Sequence, residues 1–321
     1  MNLLYGLPGL RALTHGVVVS IGNFDGVHRG HQSLLRMARD LRAAAPGSRV
    51  AVVTFEPHPL TVLRPEKAPP RLLTPEMKRT LLAAEGVDDL VELAPEPAVL
   101  NLTAEQFWAL LRDEVRPSHL VEGREFNFGK DRGGNIARLH EWVTGSGIQL
   151  HVAGEVEMPL LDMRLIPISS TLVRWLVAYG RVRDAAICLG RPYALQGPVI
   201  PGHQRGRTIG APTANLRCDR QLIPADGVYA GRCLVNGINY PAAVSIGTLP
   251  TFGEYDRQIE AHLIGFAGDL YGRELTVELI DWLRDQRKYD GIEPLKAQIA
   301  IDLKETIRRA ADDPSRPIAA A

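Results

Sequence analysis

The spacing of apolar residues changes character once along this chain, near residue 186, and that change limits the possible folds more than any other feature. Before it, short apolar runs alternate with stretches of helical spacing. Val17 to Ile21, Val50 to Phe55, Leu90 to Leu93, His119 to Glu122 and Ile148 to Val152 have the length of buried strands. Leu34 to Ala45, Pro75 to Ala84 and Ala104 to Glu114 have helical spacing. Such alternation predicts a parallel sheet with helices on both faces. After residue 186 helical spacing disappears. Tyr229–Val235 and Ile238–Val244 flank Asn236-Gly237, and because both turn residues tolerate positive φ the stretch predicts a hairpin. Ile259 to Phe266 and Leu275 to Leu279 continue the pattern, which predicts an antiparallel barrel or sandwich. From Glu293 helix returns. Leu295, Ile299, Leu303 and Ile307 recur every fourth residue and predict an apolar stripe against the strands, with fraying from about Asp312. The fold class is therefore α/β plus all-β. A length of 321 residues matches two domains at roughly 150 residues each, with boundaries at 1–186 and 187–321.

Charge and cysteine content exclude several classes of function. Lys plus Arg and Asp plus Glu are both 37, which argues against sequence-independent nucleic-acid binding. No apolar run approaches the roughly 18 residues that cross a bilayer. The start of the chain is broken by Gly6, Pro8 and Gly9 and has no charged leader, a poor signal peptide. Cys188, Cys218 and Cys233 are odd in number and widely spaced, unsuited to a disulfide framework or a zinc ribbon. These features predict a soluble protein of the reducing cytoplasm, with neither nucleic acid nor membrane as partner.

The sharpest local signal is Ile21 to His31, which follows a strand and opens a helix. Gly22, Gly26 and Gly30 let the backbone turn tightly and approach a ligand. The helix start offers N–H groups to an anion, and His28 and His31 can stabilise charge on a phosphoryl oxygen. The alternatives are a two-histidine metal site, for which no third ligand is spaced nearby, and a structural turn. The segment is neither a Walker loop nor the dinucleotide fingerprint. Further on, Ser169, Ser170 and Thr171 can cap a helix or reach phosphate oxygens, with Arg174 one turn along. Two more segments end strands: Thr54 to Pro59, with Phe55, Pro57 and His58, and Gly123 to Gly129, with Glu125, Phe126 and Phe128. Their aromatic rings suit either a flat ligand ring or the core.

In the second half, Gly202 to Asn215 is glycine-rich and basic, with Gly202, Arg205, Gly206, Arg207 and Gly210 ahead of Pro212-Thr213-Ala214-Asn215. In extended backbone Thr213 and Asn215 share a face and can hold Mg²⁺ and phosphate oxygens together. A surface loop is the plain alternative. Glu260, inside the strand Gln258 to Ile264, is either a solvent-facing carboxylate or a general base for an alcohol attacking a γ-phosphate.

Residues 22–31 resemble the Gly-x-Phe-Asp-Gly-x-His-x-Gly-His signature of the nucleotidyltransferase α/β phosphodiesterase superfamily, and Ile168 to Arg174 is similar to its second phosphate motif. Together with Gly-Ala-Pro-Thr-Ala-Asn at 210–215 and Glu-Ala-His-Leu at 260–263, the chain from about 15 to 310 resembles the prokaryotic bifunctional riboflavin kinase/FAD synthetase family. The resemblance implies a Rossmann-like nucleotidyltransferase domain followed by a riboflavin kinase β-barrel. It implies phosphorylation of riboflavin by ATP to FMN, then adenylylation of FMN to FAD and pyrophosphate, with Mg²⁺ at both sites. It assigns Glu260 as kinase base and Thr213 and Asn215 as metal and phosphate ligands, with Gly202, Arg205, Gly206, Arg207 and Gly210 over the nucleotide. It assigns His28, His31 and Arg174 to adenylyl transfer, and Gly22, Asn23, Phe24, Asp25, Gly26, Ser169, Ser170 and Thr171 to its ATP. Phe55, Pro57, His58, Glu125, Phe126, Phe128 and Arg284 are the flavin contacts, and Arg284 to Tyr289 resembles the part that closes over the flavin. The chain departs from the family pattern at Glu125 (usually Asp or Asn), Gln204 (Lys), Ala211 (aromatic), Leu249 (Asn) and Gln286-Arg287 (Glu-Gln). The competing readings are an enzyme with one active half, a flavin carrier without catalysis, and a nucleotidyltransferase for another acceptor.

Overall fold

The computed structural model describes every residue except Pro46, 203–210, Arg220, 250–253 and 314–321. Two compact units emerge. The first comprises Met1–Pro69 and Pro75–Glu157, and the second comprises Pro70–Thr74 and the chain from Met158 onward.

The first unit is built on strands β1 (Asn2–Tyr5), β2 (Val18–Ile21), β3 (Val50–Phe55), β4 (Asp89–Leu93) and β5 (His119–Gly123), a small ribbon of β6 (Asn127–Phe128) and β7 (Gly134–Asn135), and β8 (Gln149–Ala153). Its sheet has the order β1-β4-β3-β2-β5-β8, and every pairing is parallel. Helices α1 (Gly6–Arg11), α2 (Arg29–Ala43), α3 (Leu60–Leu63), α4 (Pro75–Ala84), α5 (Pro97–Leu100), α6 (Ala104–Ala109) and α7 (Ile136–Val143) connect the strands. Val19, Ala51, Val53 and Val91 join Leu10, Phe107, Leu111 and Leu139 in one core. The alternate positions Val18, Val50, Val52 and Leu90 are equally buried, so both faces of the sheet are covered. From β2 the chain steps one way to β3 and β4, and later the other way to β5 and β8. The switch point therefore lies between the C-terminal ends of β2 and β5, where open α/β sheets bind ligands.

Two boundaries differ from expectation. Helix α2 begins at Arg29 rather than Leu34, because His28 caps it. Edge strand β1 has no counterpart in the sequence reading, since its four residues run directly into Gly6 and α1.

The second unit opens with the ribbon β9 (Glu157–Pro159) and β10 (Leu165–Pro167) and helices α8 (Ser170–Ala178) and α9 (Val182–Leu189). Strands β11 (Tyr193–Ile200), β12 (Ala214–Leu216), β13 (Gly227–Val235), β14 (Ile238–Leu249), β15 (Glu254–Leu263) and β16 (Glu274–Arg284) close a six-stranded antiparallel barrel, β16 returning to β11. The hairpin turn falls at Asn236 and Gly237, both left-handed at φ 51° and 78°. Helix α10 (Ile292–Asp312) packs on β13, β14 and β16.

The apolar stripe on α10 is corrected by the structure. Leu295, Ile299 and Leu303 are half-buried, but Ile307 is 47% exposed while Thr306 is fully buried. Four residues of α-helix turn about 400°, so an every-fourth-residue stripe drifts about 40° per step and has left the contact by Ile307. Ion pairs replace it: Asp302 with Arg284 at 2.8 Å, Arg309 with Asp281, and Asp313 with Arg232 at 2.9 Å.

The inserted segment Pro70–Thr74 is held by backbone and side-chain hydrogen bonds within the second unit. Leu222 N–H donates to Arg71 O at 2.7 Å, Gln221 Nε2 to Leu72 O at 3.3 Å, Arg174 Nε to Pro70 O at 2.8 Å, and Thr74 Oγ1 to Gln196. Leu72 is fully buried. No helix among the described residues is long and apolar enough to cross a membrane.

Candidate active sites

In the first unit the loop after β2 is held in a strained form. Phe24 (φ 48°) and Val27 (φ 38°) are left-handed, a costly conformation for a β-branched side chain, and both are buried. Thr54 Oγ1 donates to Asn23 O at 3.2 Å and ties the loop to β3. His28 sits at the N-cap of α2, where its Nδ1 accepts from His31 N–H at 3.4 Å. Because Nδ1 accepts, the ring proton lies on Nε2, which is a donor. The rings of His28 and His31 stack at 3.7 Å, and Phe24 packs on His31 at 4.9 Å. Both histidines thus lie at the first turn of a 15-residue helix, where backbone N–H groups and the helix dipole favour an anion.

The second strand end adjoins this loop. The Asn23 carboxamide lies 3.2 Å from His58 Nε2, while His58 Nδ1 accepts from Leu60 N–H at 3.1 Å. The Glu56–Pro57 peptide is cis. Beneath it, Lys78 is buried against Glu56 at 3.1 Å and donates to Phe55 O at 3.3 Å. In sequence it stands beside a second cation, Arg79, on α4, whose Met77 and Leu82 are buried as well. Phe126 stacks on Phe128 at 5.4 Å. Phe128 belongs to the core, against Phe107 and Trp142, whereas Phe126 is half-buried and Glu125 is exposed.

Glu122 was not singled out from sequence. It lies at the end of β5 with 1% exposure, and its carboxylate accepts from Ile21 N–H at 2.9 Å, one residue before Gly22. Burial pushes its pKa well above the usual carboxylate range, and the backbone hydrogen bond only partly opposes this. Burial thus favours the protonated form of this carboxyl, whose contact with Ile21 N–H fixes the exit of β2.

In the second unit Ser169 caps α8, its hydroxyl accepting from Leu172 N–H at 3.1 Å. Ser170 and Thr171 occupy the first turn of α8. Arg174 follows one turn later and anchors on Pro70 O.

The barrel brings together the residues selected from its motifs. Asn215 on β12 is paired with Glu260 on β15, and both are half-buried. A Cβ on Gly202 would fall 2.1 Å from Asn215 Nδ2, so only glycine lets the backbone lie against that carboxamide. His262 Nδ1 donates to Pro212 O at 2.7 Å and fixes the backbone that carries Thr213. Thr213 borders a cavity of roughly 430 Å³ walled by Val199, Pro212, Leu263, Phe266, Leu270 and Tyr271. That volume and apolar wall suit the base of a nucleotide. Arg205, Gly206, Arg207 and Gly210 lie outside the described residues, as do Gln204 and the side chain of Leu249. Arg284 makes a bidentate pair with Asp302. Cys218 and Cys233 are buried and unbridged, and burial pushes each thiol up to about 12. Among the described residues no group of three or more His, Cys, Asp or Glu side chains forms a metal cluster.

Comparison with known proteins places both sites in a common frame. The FAD synthetase family model matches residues 10–171, and the riboflavin kinase model matches residues 189–310. A bifunctional riboflavin kinase/FMN adenylyltransferase of Pseudomonas fluorescens is 38% identical, covering 94% of this chain and 96% of that protein. The protein of the same description from Escherichia coli K12 is 37% identical over the same shares. A solved Streptococcus pneumoniae chain described as a macrolide-efflux protein superposes with a TM-score of 0.83 at 30% identity, covering 96% of this chain and 99% of that one. That match carries the shared architecture, and the efflux description belongs to that protein.

Proposed function

The chain belongs to the bacterial bifunctional riboflavin kinase/FMN adenylyltransferase family, and from that membership we propose which residues perform each half of its chemistry. It phosphorylates riboflavin with ATP to FMN and adenylylates FMN with ATP to FAD and pyrophosphate. We assign adenylyl transfer to residues 1–186 and the kinase to 187–321.

In the kinase half Glu260 accepts the proton of the ribityl 5′-hydroxyl as its oxygen attacks the γ-phosphorus and ADP leaves. Thr213 and Asn215 hold the triphosphate, and the cavity beside Thr213 seats the purine. Gly202, Arg205, Gly206, Arg207 and Gly210 are assigned to the phosphates of the same nucleotide. The oxygen donors of Thr213 and Asn215, and the bare glycine backbone against Asn215, fit a hard cation. Mg²⁺ bound there would neutralise phosphate charge. On the adenylyl side the loop 22–31 carries one carboxylate, Asp25, and Mg²⁺ held there with the triphosphate would neutralise its charge.

In adenylyl transfer the FMN phosphate attacks the α-phosphorus of ATP and expels pyrophosphate. The nucleophile is already an anion, so alignment and charge stabilisation are what the protein supplies. His28 Nε2–H, His31, Ser169, Ser170, Thr171 and Arg174 serve the phosphates. Gly22, Asn23, Phe24, Asp25 and Gly26 hold the adenylate. Phe55, Pro57, His58, Glu125 and Phe126 contact the flavin, with Phe128 supporting Phe126 from the core. Arg284 anchors the segment over the kinase's flavin. The unbridged, buried thiols support a cytoplasmic setting.

The observation that carries this reading is the Asn215–Glu260 pairing, with Thr213 two residues before Asn215 bordering a nucleotide-sized cavity, in the half that the riboflavin kinase model matches. The test is product analysis over time with riboflavin, ATP and Mg²⁺. Glu260→Gln is expected to abolish FMN formation and leave FAD formation from FMN intact, and His28→Ala to do the reverse. Wild-type FMN formation by Glu260→Gln removes Glu260 from the mechanism.

A further inference from the structure

Beside the kinase base lies a polar pair that the reaction as derived does not use. Asn215, Glu260 and Ser245 are in register across β12, β15 and β14, Asn215 facing Glu260 and Glu260 facing Ser245. Directly opposed residues project to one face with Cβ atoms about 5 Å apart, so the three side chains form a row with the carboxylate at its centre. The segment that follows β16 crosses the Ser245 end of this row. Gln286 Nε2 donates to Ser245 Oγ at 3.1 Å. Gly247 lies two residues along β14, on the same face, and a Cβ there would fall 2.5 Å from Gln286 Oε1. The bare backbone at 247 is what admits the carboxamide. The root of the segment is pinned by the Arg284–Asp302 pair, and the Arg284 guanidinium lies over Tyr289 at 5.8 Å.

We propose that Ser245 and Gln286 form a neutral subsite that reads the secondary hydroxyl next to the one Glu260 deprotonates. Ser245 Oγ already accepts from Gln286, so its own proton is left to donate, and Gln286 Oε1 is left to accept. One donor and one acceptor, side by side, complement an alcohol. The inference rests on Glu260 as the base.

The test compares riboflavin with 4′-deoxyriboflavin as acceptors for the full-length chain, measuring kcat and KM for phosphorylation. Wild type is expected to favour riboflavin by roughly tenfold or more, the worth of two neutral hydrogen bonds. In Ser245→Ala the preference collapses to within about twofold, because riboflavin falls to the level of the analogue while the analogue is unchanged. Gln286→Ala, an exposed position that leaves β14 intact, is expected to collapse it likewise. FAD formation from FMN reports that each variant is folded. Equal loss for both acceptors, or a preference that survives both substitutions, overturns the proposal. Failure of the base assignment reads differently: Glu260→Gln would then turn over both acceptors.

Discussion

Glu122 gives the structure its most quantitative test. Replacing it with Gln keeps the side-chain shape and the acceptor for Ile21 N–H, and removes only the proton equilibrium. Burial raises the folded-state pKa well above the ordinary value of 4.5. Between 4.5 and the folded value, the folded protein therefore binds one more proton than the unfolded chain. Stability from this group is full below about 4.5 and is lost as pH rises through the folded pKa, by about 1.4 kcal/mol per pH unit. Wild type and Glu122→Gln should differ by a gap that widens by that amount from pH 5 to pH 6. The gap continues to widen until it reaches a plateau at the folded pKa. Urea titrations at several pH values, read by hydrogen exchange in peptides covering β2 and β5, isolate the α/β unit. A gap constant from pH 5 to pH 8 would refute the protonated-carboxyl reading. Glu122→Ala should fall below both, because it strands the Ile21 N–H at a cost of about 1–3 kcal/mol.

Other perturbations have defined outcomes. Glu278→Ala leaves Arg232, whose side chain is 4% exposed, short of its main counter-charge. It should cost the barrel about 3 kcal/mol or more in denaturant unfolding. Thr306 Oγ1 is buried with no hydrogen-bond partner among the described residues, so Thr306→Val should stabilise the barrel by about 1 kcal/mol. Ile307→Ser, on the exposed side of α10, should change stability by less than about 0.5 kcal/mol in the same assay. Gly202→Ala pushes a methyl group into the Asn215 carboxamide. It should lower kinase kcat/KM by about 10²-fold while FAD formation from FMN is unchanged.

Local chemistry was the most legible part of the sequence. The Gly22–His31 loop, the Asn236-Gly237 hairpin and helix α4 at Pro75–Ala84 all depend on side chains and φ preferences within a few residues, and each lies where the motif points. Contacts between distant segments were not legible. Nothing near Glu122 in sequence shows that Ile21 N–H will face it, and nothing near Lys78 announces Glu56. The inward face of α10 departs from the expected stripe because a spacing of four drifts around the helix, and because nothing near Asp302 or Thr306 in sequence marks them as buried, Asp302 against Arg284 from β16. Among the site residues, Asn215 and Glu260 were found singly from motifs. Their register with Ser245 depends on which strands neighbour one another, which only the closed barrel decides.

The excursion at Pro70–Thr74 bears on any attempt to divide the gene. A fragment beginning at Met158, or at residue 187, would be born without the segment whose Leu72 is fully buried and whose carbonyls occupy Gln221 and Leu222. Splitting this enzyme therefore cannot be done with a single cut. A stand-alone kinase would need the five-residue piece supplied in trans or grafted onto its new N-terminus.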